Sequence, residues 1–323
     1  MDDLVEPYLR RVRRRRLHRD LSQGAATMIR TLSLVGAPSS AGAYAPGQEK
    51  APAAFRRNGL VPALMEYGLH VNDRGDTPGF RWRPDHQRPK AMNLDAVQRT
   101  AAAVADKVGG ALANGEAVFV LGGDCTVELG TVAGALRDEP SVGLIYIDFD
   151  VDLNSPATSD GALDWTGVAH LLDLPDTEAA LSGLGPRRPM LSPADVLYFA
   201  SENITPAENK AVDALRLERI GLAEVEEDPI GAARRAVDWG ARHKRLLIHL
   251  DVDVLNFTDF PIAENTRRCD GLSFEALSAA LAPLVAAPNW RALTITEVNP
   301  DHTPNEREAF GRLIAMLSEA LSA

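Results

Sequence analysis

Two clusters of aspartates, Asp148-Phe149-Asp150-Val151-Asp152 and Asp251-Val252-Asp253, each follow directly on an apolar run and are the residues of this chain best suited to chemistry. Side chains of an extended chain alternate faces. Asp148, Asp150 and Asp152 therefore point one way if the extended conformation persists, as do Asp251 and Asp253. Five carboxylates brought together repel one another and are costly to bury as anions. Divalent cations would cancel most of that charge, so the pattern points to a metal centre with oxygen donors. The plainer alternative is that some of these aspartates cap helices or form turns, as Asn154-Ser155-Pro156 suggests locally. Two clusters, each ending an apolar run, favour the metal. A lone Asp-x-Asp would also suit a nucleotide-sugar glycosyltransferase holding a metal and a diphosphate. That reading leaves the second cluster unexplained, and the sequence shows no obvious basic or glycine-rich phosphate cradle.

Carboxylates in such a cluster need strands to position them. Short apolar runs at 32–36, 117–121, 142–148, 196–200, 246–251 and 292–297 are the candidate strands, several too apolar to be half-exposed. Between them, helical periodicity falls near 95–113, 126–137, 206–216, 228–242, 273–286 and 305–322. The alternation predicts an α/β fold with a mainly parallel sheet covered on both faces. Ligands of such sheets bind beyond the carboxyl ends of the strands. Four strand ends carry polar residues there: Gly122-Gly123-Asp124-Cys125-Thr126, the two aspartate clusters, and Glu297-Val298-Asn299-Pro300. The stretch 73–89 mixes Asp, Gly, Arg and Pro without periodicity and reads as a long loop.

Composition narrows the classes. With 45% apolar residues the chain can bury a substantial core, and no run of about 18 apolar residues is present to span a membrane. A cytoplasmic protein with no membrane partner is expected. Cys125 and Cys269 share no spacing pattern, which leaves neither a disulfide framework nor a thiolate zinc cage. Net charge is −11, and residues 1–27 hold seven arginines against four acids, which puts about −14 on the remainder. That charge disfavours nucleic acid and favours a cationic small molecule. The arginine-rich residues 1–27 are expected to be a solvated, disordered extension, and 28–323 a single domain.

Together the four strand ends resemble those of the ureohydrolase family, which includes arginase, agmatinase and formimidoylglutamase. Gly36-Ala37-Pro38 with Gly42, Gly47 and Ala51-Pro52-Ala53-Ala54-Phe55-Arg56 is similar to the family's opening Gly/Pro-rich loop. The segment from Gly122 to Thr126 resembles Gly-Gly-Asp-His-Ser, that from Asp148 to Asp152 resembles Asp-Ala-His-x-Asp, and Asp251 to Asp253 resembles the later Asp-x-Asp. The resemblance implies a three-layer αβα sandwich and two manganese ions bridged by a hydroxide that attacks a guanidinium carbon, with one ion or magnesium as variants. It implies metal ligands at Cys125, Asp148, Asp150, Asp152, Asp251 and Asp253. It also implies a guanidinium-gripping acid at Glu297, substrate contacts at Asn154 and, more loosely, Glu208, and a trimeric or hexameric homo-oligomer. The expected activity is hydrolysis of linear amidine or guanidine C–N bonds with release of urea or a related product. The alternatives are a divergent member acting on a modified guanidino or other amide-like substrate, and a non-catalytic metal-binding homologue.

Three positions depart from the family pattern. Cys125 and Asp150 stand where metal-binding histidines are expected, and Asp164 stands near a loop histidine that moves protons. A carboxylate in place of imidazole hardens a site towards manganese or magnesium, whereas a thiolate softens it. Cys125 is either a ligand or a packed thiol. His249, two residues before Asp251 on the same strand face, is either packed in the sheet or a replacement imidazole acting as ligand, partner of a ligand or proton carrier. Asp164 is either a helix cap or a catalytic acid-base group, and Asp150 is a further catalytic candidate.

Overall fold

The computed structural model describes residues 31–323, and residues Thr31–Ala323 form one compact unit. The arginine-rich extension expected over 1–27 lies outside the described residues.

Eight parallel strands form one sheet in the order β2-β1-β3-β8-β7-β4-β5-β6. They are β1 (Thr31–Gly36), β2 (His70–Asp76), β3 (Ala117–Leu121), β4 (Val142–Ile147), β5 (Val196–Phe199), β6 (Glu218–Ile220), β7 (Arg245–Asp251) and β8 (Trp290–Thr296). The four central strands are rich in Val, Ile, Leu and aromatic residues and are buried on both faces, as strands sandwiched between helices must be. One face packs on the helices Ala51–Arg57, Leu60–Glu66, Pro229–Gly240, Phe274–Val285 and Glu306–Leu321. The other packs on Leu94–Ala113, Val127–Ala135 and Pro206–Leu215, completing the three layers that the family likeness implies.

Two outer strands were not expected. β2 takes up residues 70–76, so the first part of 73–89 is a strand rather than loop. β2 and β6 are largely solvent-facing edges that carry Asp, Arg and Glu, so neither shows an apolar run. The segment Ala51–Arg57, read as part of a loop, is a helix with Pro52 in its first turn, where a missing N–H costs nothing.

The order β3-β8-β7-β4 makes the four strands with polar ends contiguous. Register levels those ends: Leu121 is opposite Ile295, Asp251 opposite Thr296, and Ile147 opposite Leu250. The turn after β3 is held close to the loop after β1. A Cβ on Gly123 would lie 1.7 Å from the Ser39 carbonyl oxygen, so no side chain fits there.

Candidate metal centre

β4 delivers Asp148 as its first residue past the ladder and then stops. The extended conformation does not persist: Asp152 has φ of +49°, and its Oδ2 accepts the Tyr146 hydroxyl at 2.5 Å. After β7 the chain turns into the 3₁₀ segment Val252–Val254, with the Asp251 side chain accepting the Asp253 N–H at 2.7 Å. Local turns, rather than strand alternation alone, therefore bring the carboxylates together. Glu297 also sits at positive φ, +60°, a conformation a non-glycine residue adopts only when its surroundings enforce it. They do so through the Glu297 N–H bonded to the Gly123 carbonyl at 2.9 Å and the Glu297 carbonyl accepting from Glu264 N–H at 2.8 Å.

The result is a narrow cleft of about 50 Å³ lined by Cys125, the five aspartates, Asp164 and Glu297, with Tyr44, Trp165 and Asn265 at its wall. Two sets of donors lie within 4.8 Å of one another: Cys125, Asp148, His249 and Asp251, and then Asp148, Asp150 and Asp253. Burial, followed by the neighbouring Asp251 and Asp152, pushes the Asp148 carboxyl well above the usual carboxylate range. Burial also raises Asp152, Asp253 and Glu297, with nearby carboxylates adding to the effect in each. Buried anions at this density need compensating positive charge.

The first set fits a divalent ion. Asp148 Oδ2 is buried without a hydrogen-bond partner, His249 turns Nε2 towards it, and oxygens with one imidazole suit a hard or borderline cation. The Cys125 thiol is driven up by burial and then by Asp251, and it donates to Asp251 Oδ2 at 2.9 Å. As a ligand it would have to surrender that proton.

His249 does not line the cleft. It lies beneath it, fully buried, abreast of Tyr146 on β4 and Thr294 on β8. Its ring stacks on Tyr146 at 4.2 Å, with Nδ1 3.5 Å from Glu128 and Nε2 4.0 Å from Asp148 Oδ2. Glu128, on the otherwise apolar helix Val127–Ala135, leaves both carboxylate oxygens without a hydrogen bond. Sequence reading passed over Glu128 because it sits within an apolar helix. Its lone acid there was the available signal.

Glu297 is fixed by the Gln48 amide at 2.9 Å and the Cys125 N–H at 3.1 Å. Asp164 opens the 3₁₀ turn Asp164–Thr166 and makes no capping bond. It accepts the Trp165 N–H at 3.0 Å, and burial, followed by Asp124, raises its carboxyl. Asn154 and Glu208 stand outside the lining. Glu208 closes a capping box with Thr205 and holds Leu153 N–H at 3.2 Å and the Asn154 amide at 2.9 Å, so it bears on the cleft through this loop. Asp150 is half-buried, and it pairs with Arg268 and Asn203. Arg268, Gln48, Tyr44 and Asn265 were not singled out by sequence, since each belongs to a loop without periodic pattern.

The model of the arginase family matches residues 30–320. Human arginase-1 is 29% identical over 283 residues, covering 86% of this chain and 88% of the relative. Among solved structures, arginase from Bacillus subtilis superposes with a TM-score of 0.81 at 24% identity, covering 90% of this chain and 98% of the other. Formimidoylglutamase from Bacillus subtilis gives 0.70 at 17% identity, covering 92% and 88%. Among the described residues no helix is long and apolar enough to cross a membrane.

Proposed function

Because the chain belongs to the arginase family, we propose that it hydrolyses a C–N bond of a small cationic guanidine or amidine, releasing urea or a related product. The observation that carries this reading is the convergence of Cys125, Asp148, His249 and Asp251 at the carboxyl ends of the central strands, with Glu297 fixed beside them. A divalent ion, which we assign as manganese, would lower the pKa of a water and polarise the scissile carbon. Asp148 and Asp251 would hold it together with His249 or Cys125.

The remaining work falls to side chains. Glu297 faces the cleft with its carboxylate held in one orientation, which suits it to grip a planar cation by charge-assisted hydrogen bonds. Asp164 lines the cleft, and burial favours the protonated form of its carboxyl, which suits it to exchange a proton with the leaving amine. Tyr44 and Trp165 give the cleft an aromatic wall beside which the substrate would sit. The loop that Glu208 fixes through Asn154 would read the far end of the substrate.

A second reading is favoured by the pairing of Asp150 with Arg268, which changes the surroundings of the nucleophile: a relative acting on a modified guanidino or other amide-like substrate. The test is urea and amine release from arginine, agmatine, guanidinobutyrate and hydroxyarginine after manganese loading. Urea from any of them supports the first reading, and amine without urea the second. Bound metal with neither product would identify a non-catalytic metal-binding homologue.

A further inference from the structure

The two donor sets share Asp148 but differ in the charge of the groups that already partner their carboxylates. In the first, Asp148 Oδ2 has no partner, and the Asp251 oxygens accept a backbone N–H from Asp253 and a neutral thiol from Cys125 rather than a guanidinium. In the second, both Asp150 oxygens are taken: Oδ1 by the Asn203 amide and Oδ2 by the Arg268 guanidinium. The same guanidinium reaches Asp253, with Arg268 Nε 3.7 Å from Asp253 Oδ2. Only Asp253 Oδ1 remains uncommitted there besides the shared Asp148.

The placement of Arg268 is built rather than incidental. Its guanidinium carbon lies 4.8 Å above the Phe149 ring, a geometry in which a desolvated cation is attracted to the aromatic face. Its backbone carbonyl accepts the Phe257 N–H at 2.6 Å, and the neighbouring Cys269 carbonyl accepts the Asn256 amide at 2.8 Å. The flanking loop is thereby tied down. Phe149 and Asp150 are adjacent in sequence, and one supplies the platform while the other supplies the counter-charge. A neutral imidazole at position 150 could not make that ion pair. The guanidinium is always charged and forks across carboxylates, so it can neutralise the pair at Asp150 and Asp253 without any ion. A divalent cation on the same oxygens would meet it at direct like-charge contact.

We infer that the Arg268 guanidinium takes the place of a second metal ion, leaving a mononuclear centre built on Cys125, Asp148, His249 and Asp251. The inference rests on the reading that this cluster binds a divalent cation, and it states how many and where. Under it, the second donor set has become a fixed ion-pair wall beside the single ion.

The full-length protein, stripped by chelator, loaded with excess manganese and desalted, separates the possibilities. Metal analysis of the wild type is expected to give one ion per chain, with the electron paramagnetic resonance of an isolated ion. Two ions, or an exchange-coupled signal, would overturn the inference and leave the proposed function standing. No bound ion would overturn both. Arg268→Met keeps an apolar stem over Phe149 and removes the charge, and it is expected to take up a second ion with a coupled signal. A folded Arg268→Met protein that stays at one ion contradicts the assignment. Should that variant not fold, Asp253→Asn in the wild-type background decides the matter: retention of the single ion supports the inference, and its loss places the ion in the second set and overturns it.

Discussion

The two halves of the aspartate cluster are made of the same residue type at the same level of the sheet, yet they offer different chemistry. Around Asp251 the surrounding groups are a thiol, an imidazole and an unpartnered oxygen of Asp148. Around Asp150 they are an arginine, an asparagine amide and a phenyl face. What a carboxylate can bind is set by whether the fold has already given it a cationic partner. Counting acids in the sequence could not distinguish the halves. The hydrogen bonds do.

The comparison can be broken most severely at Asp251. Asp251→Asn is expected to abolish measurable manganese binding and activity, because it removes a carboxylate charge from the set that the Arg268 guanidinium does not neutralise. A metal count unchanged from wild type would place the ion elsewhere. Glu297→Gln should come next, leaving the metal count intact while lowering kcat/KM by roughly 100-fold, as expected for about 3 kcal/mol lost with a charge-assisted contact to a cationic substrate. A loss of metal instead would make Glu297 part of the metal centre.

His249→Gln tests the imidazole beneath the cleft. Losing a ligand, or the partner that orients one, should weaken manganese affinity by at least about 10-fold, read by isothermal titration. Unchanged affinity would return His249 to a packing role.

His170 sharpens the contrast with the smallest effect on the centre. It is as buried as His249, but its Nδ1 lies 2.7 Å from the Thr166 carbonyl and its Nε2 accepts the Glu178 N–H at 3.0 Å. Burial lowers its pKa from 6.5 to about 4, so the folded state keeps it neutral while the unfolded chain protonates it first. Its contribution to stability is complete above pH 6.5 and is lost as pH falls towards 4. Between pH 7 and 5 this amounts to about 2 kcal/mol that His170→Asn should not lose, with no change in metal count. Denaturant unfolding of both proteins at the two pH values measures it. Equal losses would show that His170 does not titrate on unfolding.

The legible part of the molecule was the part governed by burial. β3, β4, β7 and β8 announce themselves because both faces are covered, and their polar ends stand out against apolar runs. β2 and β6 escaped because edge strands are polar and solvent-facing. Asp148, Asp251 and Glu297 were identified from strand position alone, and the structure brings them into one cleft. Arg268 was not legible: it lies 118 residues from Asp150 in a loop whose side chains follow no period, and only the fold joins them. The same holds for Gln48, 249 residues from the Glu297 it orients.

The carboxyl ends of β4 and β7 are proposed to form a divalent-metal centre. Thermal unfolding of the chelator-treated protein against rising manganese addresses it directly, since an ion that binds only the folded state raises Tm with concentration. A saturable rise is expected for the wild type and none for Asp251→Asn. A wild-type Tm indifferent to manganese, or an equal rise in both proteins, would contradict it.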